Sequence, residues 1–151
     1  MYDIDEIIKM LDWNNNIEVQ EKGIELARDI KCINAFMFPV YKNSKSVWGN
    51  CAKILAEKTD EVLKPYLPIL LELLKDLNWP GSPIILERLQ NFTRTEWLYT
   101  AFQESVEKAN ATDDHMWLIW LAELLDNEKL KEMLPNDMLE FLKDYYHSCW
   151  D

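Results

Sequence analysis

At 151 residues and net charge -11, the chain is one domain's worth, residues 1–151, long enough to bury about 70% of its unfolded surface without a disulfide or metal staple. Only 3 glycines and 6 prolines punctuate it, and Leu, Glu, Lys and Asp abound without β-branched runs, so helix is favoured over strand. No apolar stretch approaches a bilayer span, and Lys and Arg, outnumbered 27 to 16 by acids, supply no basic face for phosphates, which excludes membrane and nucleic acid as partners.

In chain order, Asp3 caps a first helix to about Leu11, with Glu6 reaching back in a capping box. Asp12 to Asn16 is a turn, and a second helix runs from about Ile17 to Ile30 with Val19, Ile24, Ala27 and Ile30 near one face. Gly23 inside it implies that another helix crosses closely. Cys32 to Tyr41, dense in large apolar residues, holds a short helical turn ending before Pro39. Phe36 to Tyr41 reads as core filling or as an apolar contact patch, and Lys42 to Ser46 as an exposed loop.

A third helix spans Val47 to about Lys58, and Thr59 caps a short one through Leu63. Pro68 opens a helix to Leu77, Asn78 to Pro83 is a turn, and the partner helix runs from about Pro83 to Phe92. Thr93 and Glu96 form a second capping-box pair opening a helix to about Lys108. Thr112 caps a helix from Asp113 to Leu125 that is apolar around most of its circumference and therefore buried. Helices from Glu128 to Leu134 and Asn136 to about Trp150 complete the chain.

The segment Ile4 to Trp13 returns as Leu70 to Trp79, with Glu6/Glu72, Lys9/Lys75, Leu11/Leu77 and Trp13/Trp79 identical. A recurring amphipathic helix that ends in tryptophan is the pattern of stacked helical hairpins, in which no unit buries its apolar face alone. The expected fold is all-α, a HEAT- or armadillo-like α-α superhelix, with Trp13 and Trp79 buried at equivalent places between helices. Of the other tryptophans, Trp48, Trp97 and Trp150 fall at helix ends and are expected to be partly exposed.

Val47 to Leu55 and Tyr66 to Gly81, above all Lys75-Asp-Leu-Asn-Trp-Pro-Gly81, resemble a family of small bacterial helical proteins of unknown function, typified by a segment like LLEWLQDLNWPG and similar to HEAT repeats. The resemblance implies an α-α repeat fold and brings no catalytic residues with it. Size and acidity also make the chain similar in type to bacterial toxin-immunity proteins.

No catalytic constellation stands out. Asp113, Asp114 and His115 are consecutive and point in different directions on a helix, so they do not converge on one ion, and His147 near the C-terminus suits a helix's negative end. Neither a metal nor a cofactor is expected. Cys51 sits in an apolar helical pattern, and three cysteines at wide spacings (Cys32, Cys51, Cys149) read as reduced thiols of a cytoplasmic protein. The opening Met-Tyr-Asp-Ile-Asp-Glu has none of the features of a signal peptide.

Charge is the remaining signal. Residues 1–95 carry 14 acids and 12 bases, whereas residues 96–151 carry 13 acids and 4 bases. Glu123, Asp126, Glu128, Glu132, Asp137, Glu140 and Asp144 follow one another there, a field suited to steering a basic protein partner. The expectation is a non-enzymatic protein-binding module, in its sharpest form an immunity protein that neutralises a basic toxin. The alternative is a small enzyme or metal-dependent module using His115 or His147 with nearby acids. Oligomeric state is left open.

Overall fold

A computed structural model of the chain describes residues 2–38 and 43–148. Among them every regular element is helical: α1 (Ile4–Met10), α2 (Ile17–Ala27), α3 (Lys45–Ala56), α4 (Asp60–Leu63), α5 (Leu67–Glu72), α6 (Ser82–Gln90), α7 (Thr95–Ala111), α8 (His115–Ala122), α9 (Glu128–Met133) and α10 (Asn136–Lys143). Tighter 3-10 turns occupy Ile33–Phe36, Lys64–Tyr66 and Glu123–Asp126. The all-α expectation holds.

Local chemistry explains the helix starts. Asp3 and Glu6 form the expected capping box on α1, the Asn16 side chain accepts from the Val19 amide to open α2, and Thr59 accepts from Val62 to open α4. Two expected caps are replaced. The Thr93 hydroxyl donates to Asp60 at 2.6 Å, so α7 opens after Arg94 without a capping box. Thr112 instead turns its hydroxyl back to the Lys108 carbonyl, and Asp114 caps α8 through the Trp117 amide at 3.1 Å. Asp113 between them adopts a left-handed backbone, which breaks α7 from α8.

Packing is built around α3. Gly23 lies where α1 crosses α2: a Cβ added there would stand 2.9 Å from the Met10 Cβ and 3.0 Å from Leu11 Cδ2, the close crossing that its place in the helix implied. Behind this pair the buried Asn50 amide of α3 donates to the Leu11 carbonyl at 2.7 Å and to Gln20 Oε1 at 2.9 Å. α3 also packs on α2 and α6, α5 on α7, and α7 on α8 and α9. Buried apolar side chains from Ile7 of α1 to Leu142 of α10 form one contiguous cluster.

The two copies of the repeated segment fold differently. α1 lies against α2, whereas α5 packs chiefly on α7 and α6 on α3. α5 ends at Glu72 rather than Leu77, because Leu74 and Lys75 close i→i+3 turns onto Leu71 and Glu72. Trp79 folds back, its amide donating to the Asp76 carbonyl, and its ring meets Trp48 edge-on at 6.0 Å. Trp13 has no such turn behind it; its amide donates to Ser46 and its side chain is 55% exposed. The expectation of two mostly buried indoles at equivalent places is thus corrected: Trp13 is exposed, Trp79 is partly buried, and their surroundings differ.

Phe36, Met37 and Phe38 are buried. That part of the apolar stretch is core, and its remainder, Pro39 to Tyr41, lies outside the described residues, as do Lys42, Cys149 and Trp150. Trp48 is buried and Trp97 half-buried, held under Lys64 at 4.6 Å and Arg94 at 3.9 Å. Trp117 and Trp120 are buried on α8, whereas Met116 is exposed. No helix among the described residues is long and apolar enough to cross a membrane.

Leu74 is fully buried, so Leu74→Ala is expected to destabilise the protein by about 2–5 kcal/mol, the usual range for such a truncation. A urea melt indistinguishable from wild type would show that the cluster relaxes around the missing side chain.

Candidate functional site

The seven acids singled out in the C-terminal third divide into two groups. Glu128 and Glu132 stand on α9, Asp137 and Glu140 on α10 and Asp144 just beyond it, all exposed. Glu140 pairs with Lys143 at 2.9 Å. Among the described residues no ion pair engages Glu128, Glu132, Asp137 or Asp144. Lys108, the one cation on α7, is drawn to Glu72 of α5 at 2.9 Å.

Glu123 and Asp126 serve the molecule internally. Both belong to the 3-10 turn that continues α8, and that turn presents them to the chain's last described residues. Glu123 is only 4% exposed. Its carboxylate accepts from the His147 backbone amide at 3.2 Å and meets His147 Nδ1 at 3.1 Å. The Tyr146 hydroxyl donates to Asp126 Oδ1, and that bond, with burial and the neighbouring acids behind it, pushes the phenol up to about 12. Tyr145 stacks on His115, whose Nδ1 lies 3.2 Å from the Tyr145 hydroxyl.

Three consecutive side chains, Tyr145, Tyr146 and His147, therefore latch the end of α10 onto α8 and the turn that follows it. α10 itself ends at Lys143, well before the expected Trp150, and His147, in the turn that follows, adopts a left-handed backbone conformation (φ 58). A buried carboxylate whose basic partner is a histidine twenty-four positions away has no signature in sequence spacing. The only local sign is the Tyr-Tyr-His run itself.

Among the described residues no group of three His, Cys, Asp or Glu side chains is placed to hold a metal ion. Cys51 is buried, and burial pushes its thiol up to about 12, so it is held as the thiol rather than the reactive thiolate at neutral pH. Cys32 is exposed and free.

Beside the acids lies a cleft of about 330 Å3 between α7 and α10, lined by Val106, Glu107, Pro135, Asp137, Met138 and Phe141 among others. A larger cleft of about 630 Å3 between α2, α3 and α6 has Ile24, Ala56 and Ile84 in its wall and mixed charge at its rim, where Arg28 and Glu57 form a bidentate pair at 2.9 and 3.1 Å. That pairing holds Glu57 below the usual carboxylate range.

Fold and surface together define an all-helical protein with an acidic C-terminal face. The chain belongs to the family described as a domain of unknown function, DUF5071, whose model matches residues 49–146, from within α3 to Tyr146. No curated protein and no solved structure matches the chain.

Proposed function

We propose that the chain is a non-enzymatic protein-binding domain whose acidic C-terminal third receives a basic partner, in its sharpest form a toxin such as a nuclease whose phosphate-binding surface is covered by the contact. The observation that carries this reading is the excess of unpaired acid at the surface: Glu128, Glu132, Asp137 and Asp144 are exposed and outside every ion pair of the described residues, Lys108 and Lys143 are each held by a carboxylate, and only Lys129 and Lys131 of α9 stand among the acids as unpaired cations. Such a face attracts a basic surface first and steers its approach. Glu123 is outside this proposal because it is buried, and Asp126 contributes to the field while bonded to Tyr146. The finer architecture that goes with it is a single-domain α-α superhelix akin to HEAT repeats, supported by α2, α3 and α6 packing in succession.

The alternative, a small enzyme using a histidine, rests on Glu123 holding His147 Nδ1, an arrangement that orients an imidazole in many catalytic sites. Against it, none of the clefts described above is lined by His147.

The test is affinity capture from the native organism followed by association kinetics with the captured protein. The partner is expected to be basic. Charge reversal at Glu128, Glu132 and Glu140 should slow association by about tenfold and flatten its salt dependence, because exposed charges act mainly on the encounter rate. Reversal at Glu18, Glu21 and Glu25 should do little. Equal effects from both sets, or an acidic partner, would reject the acidic face as the docking surface.

A further inference from the structure

The α7–α10 cleft differs from its larger neighbour in a way that specifies an occupant. Its wall is apolar where Val106, Pro135, Met138 and Phe141 line it, and its charged lining residues are Glu107 and Asp137, both acids. The larger cleft carries Arg28 and Lys53 beside its three acids, Glu21, Glu25 and Glu57, so most of its acidic charge is offset within its own lining. Among the described residues no Lys or Arg lines the cleft: Lys108, next along α7, turns to Glu72, and Lys143 at the end of α10 turns to Glu140.

The cleft is also held open. α10 rests on α8 rather than along α7, and its far end is pinned by the contacts of Tyr145 with His115, Tyr146 with Asp126 and His147 with Glu123. Closing the gap would require breaking that latch. At about 330 Å3 the space stands at the bottom of the roughly 300–1,000 Å3 range of small-molecule pockets, which suits one long side chain.

We infer that this cleft is the anchor site for a single arginine on a basic segment of the partner, an inference that rests on the proposed binding of a basic protein. An arginine is matched in kind by this lining: its methylenes to the apolar Met138 and Pro135, its planar guanidinium to the aromatic Phe141, and its forked donors to the carboxylates of Glu107 and Asp137. Lysine has the stem but neither the planar face nor the fork, so arginine is the better match.

The experiment uses the full chain, labelled with 15N, titrated by NMR with the peptide acetyl-Gly-Lys-Leu-Arg-Leu-Lys-Gly-amide and with the same peptide carrying citrulline, which keeps the shape and removes the charge. The arginine peptide should shift the amide signals of Val106, Met138 and Phe141 and bind about tenfold more tightly than the citrulline peptide. In the double variant Glu107→Gln, Asp137→Asn that preference should disappear. Both positions are exposed, so the variant should keep the wild-type melting temperature, and the Met138 amide can still be capped by an asparagine carbonyl in place of Asp137. Shifts confined to α9 or to the larger cleft, or equal binding of the two peptides, would overturn the arginine anchor while leaving a basic partner on the acidic face standing. Absence of binding by either peptide would overturn both.

Discussion

Gly81→Ala is expected to destabilise the protein by about 2–6 kcal/mol, the largest effect of a methyl group added at any of its three glycines. Gly81 has φ +92, a backbone conformation that L residues adopt at a cost, and it does so at the N-cap of α6 directly over α3. A Cβ there would stand 2.7 Å from the Trp48 carbonyl oxygen, 2.8 Å from the Ala52 Cβ and 3.1 Å from the Phe38 ring. Two of these neighbours belong to a helix in the centre of the core and have nowhere to move. Backbone strain and overpacking each contribute about 1–3 kcal/mol, against a total stability of about 5–15 kcal/mol for a domain. Gly81→Asn separates them: asparagine tolerates the left-handed region but brings the same Cβ. If contact dominates, both variants should shift the urea midpoint alike. A midpoint near wild type for alanine would mean that α6 is not seated on α3 as described.

Asp60→Ala is expected to cost about 3–5 kcal/mol, the range for breaking a desolvated ion pair from one side. Asp60 begins α4, and its side chain is only 10% exposed. One oxygen accepts from Arg88 of α6 at 2.6 Å, and the other accepts from the Thr93 amide and hydroxyl and the Arg94 amide. A single carboxylate thus ties α4, α6 and the entrance of α7. Burial alone would raise its pKa, but the Thr93 hydroxyl, the Arg88 guanidinium and the two amides outweigh burial and hold it below its ordinary value of 3.8. A carboxyl lowered in the folded state contributes stability that is present above its ordinary value and is lost as pH falls through the lower folded one. The gap between wild type and Asp60→Ala, measured by urea melts at stepped pH, should therefore be widest at neutral pH and narrow below about pH 4. A gap independent of pH would show that the charge of Asp60 is not what holds the three elements.

Asp60 also marks where sequence reading reached and where it stopped. Thr93 and Glu96 have the spacing of a capping box, and locally nothing contradicts that reading. A carboxylate thirty-three positions away competes for the same hydroxyl and wins because it is already desolvated and paired with Arg88. Asp3, Asn16 and Thr59 have no such competitor, and each caps or turns the chain where its neighbours indicate. The internal repeat misled for a related reason. Similarity of Ile4–Trp13 to Leu70–Trp79 concerns which residues face the core, while the turn before Trp79 is fixed by the Asp76 carboxylate, which accepts from the Asn78 amide at 2.9 Å and has Met10, with no such acceptor, at the matching place in the first copy. At the acidic end, exposure of Glu128, Glu132, Asp137, Glu140 and Asp144 followed from composition. Burial of Glu123 did not, because it depends on His147 returning to cover it.

The bond from Asn50 to Leu11 bears on where the cooperative unit of this molecule begins. The stretch recognised as the family begins at residue 49, one position before a buried amide whose two acceptors, the Leu11 carbonyl and Gln20 Oε1, lie upstream of that boundary. Cut at that border, α3 would start four residues late, Asn50 would lose both partners, and the side of α3 that α2 covers would face water. The stretch that the family model matches is therefore smaller than the unit that these contacts make cooperative.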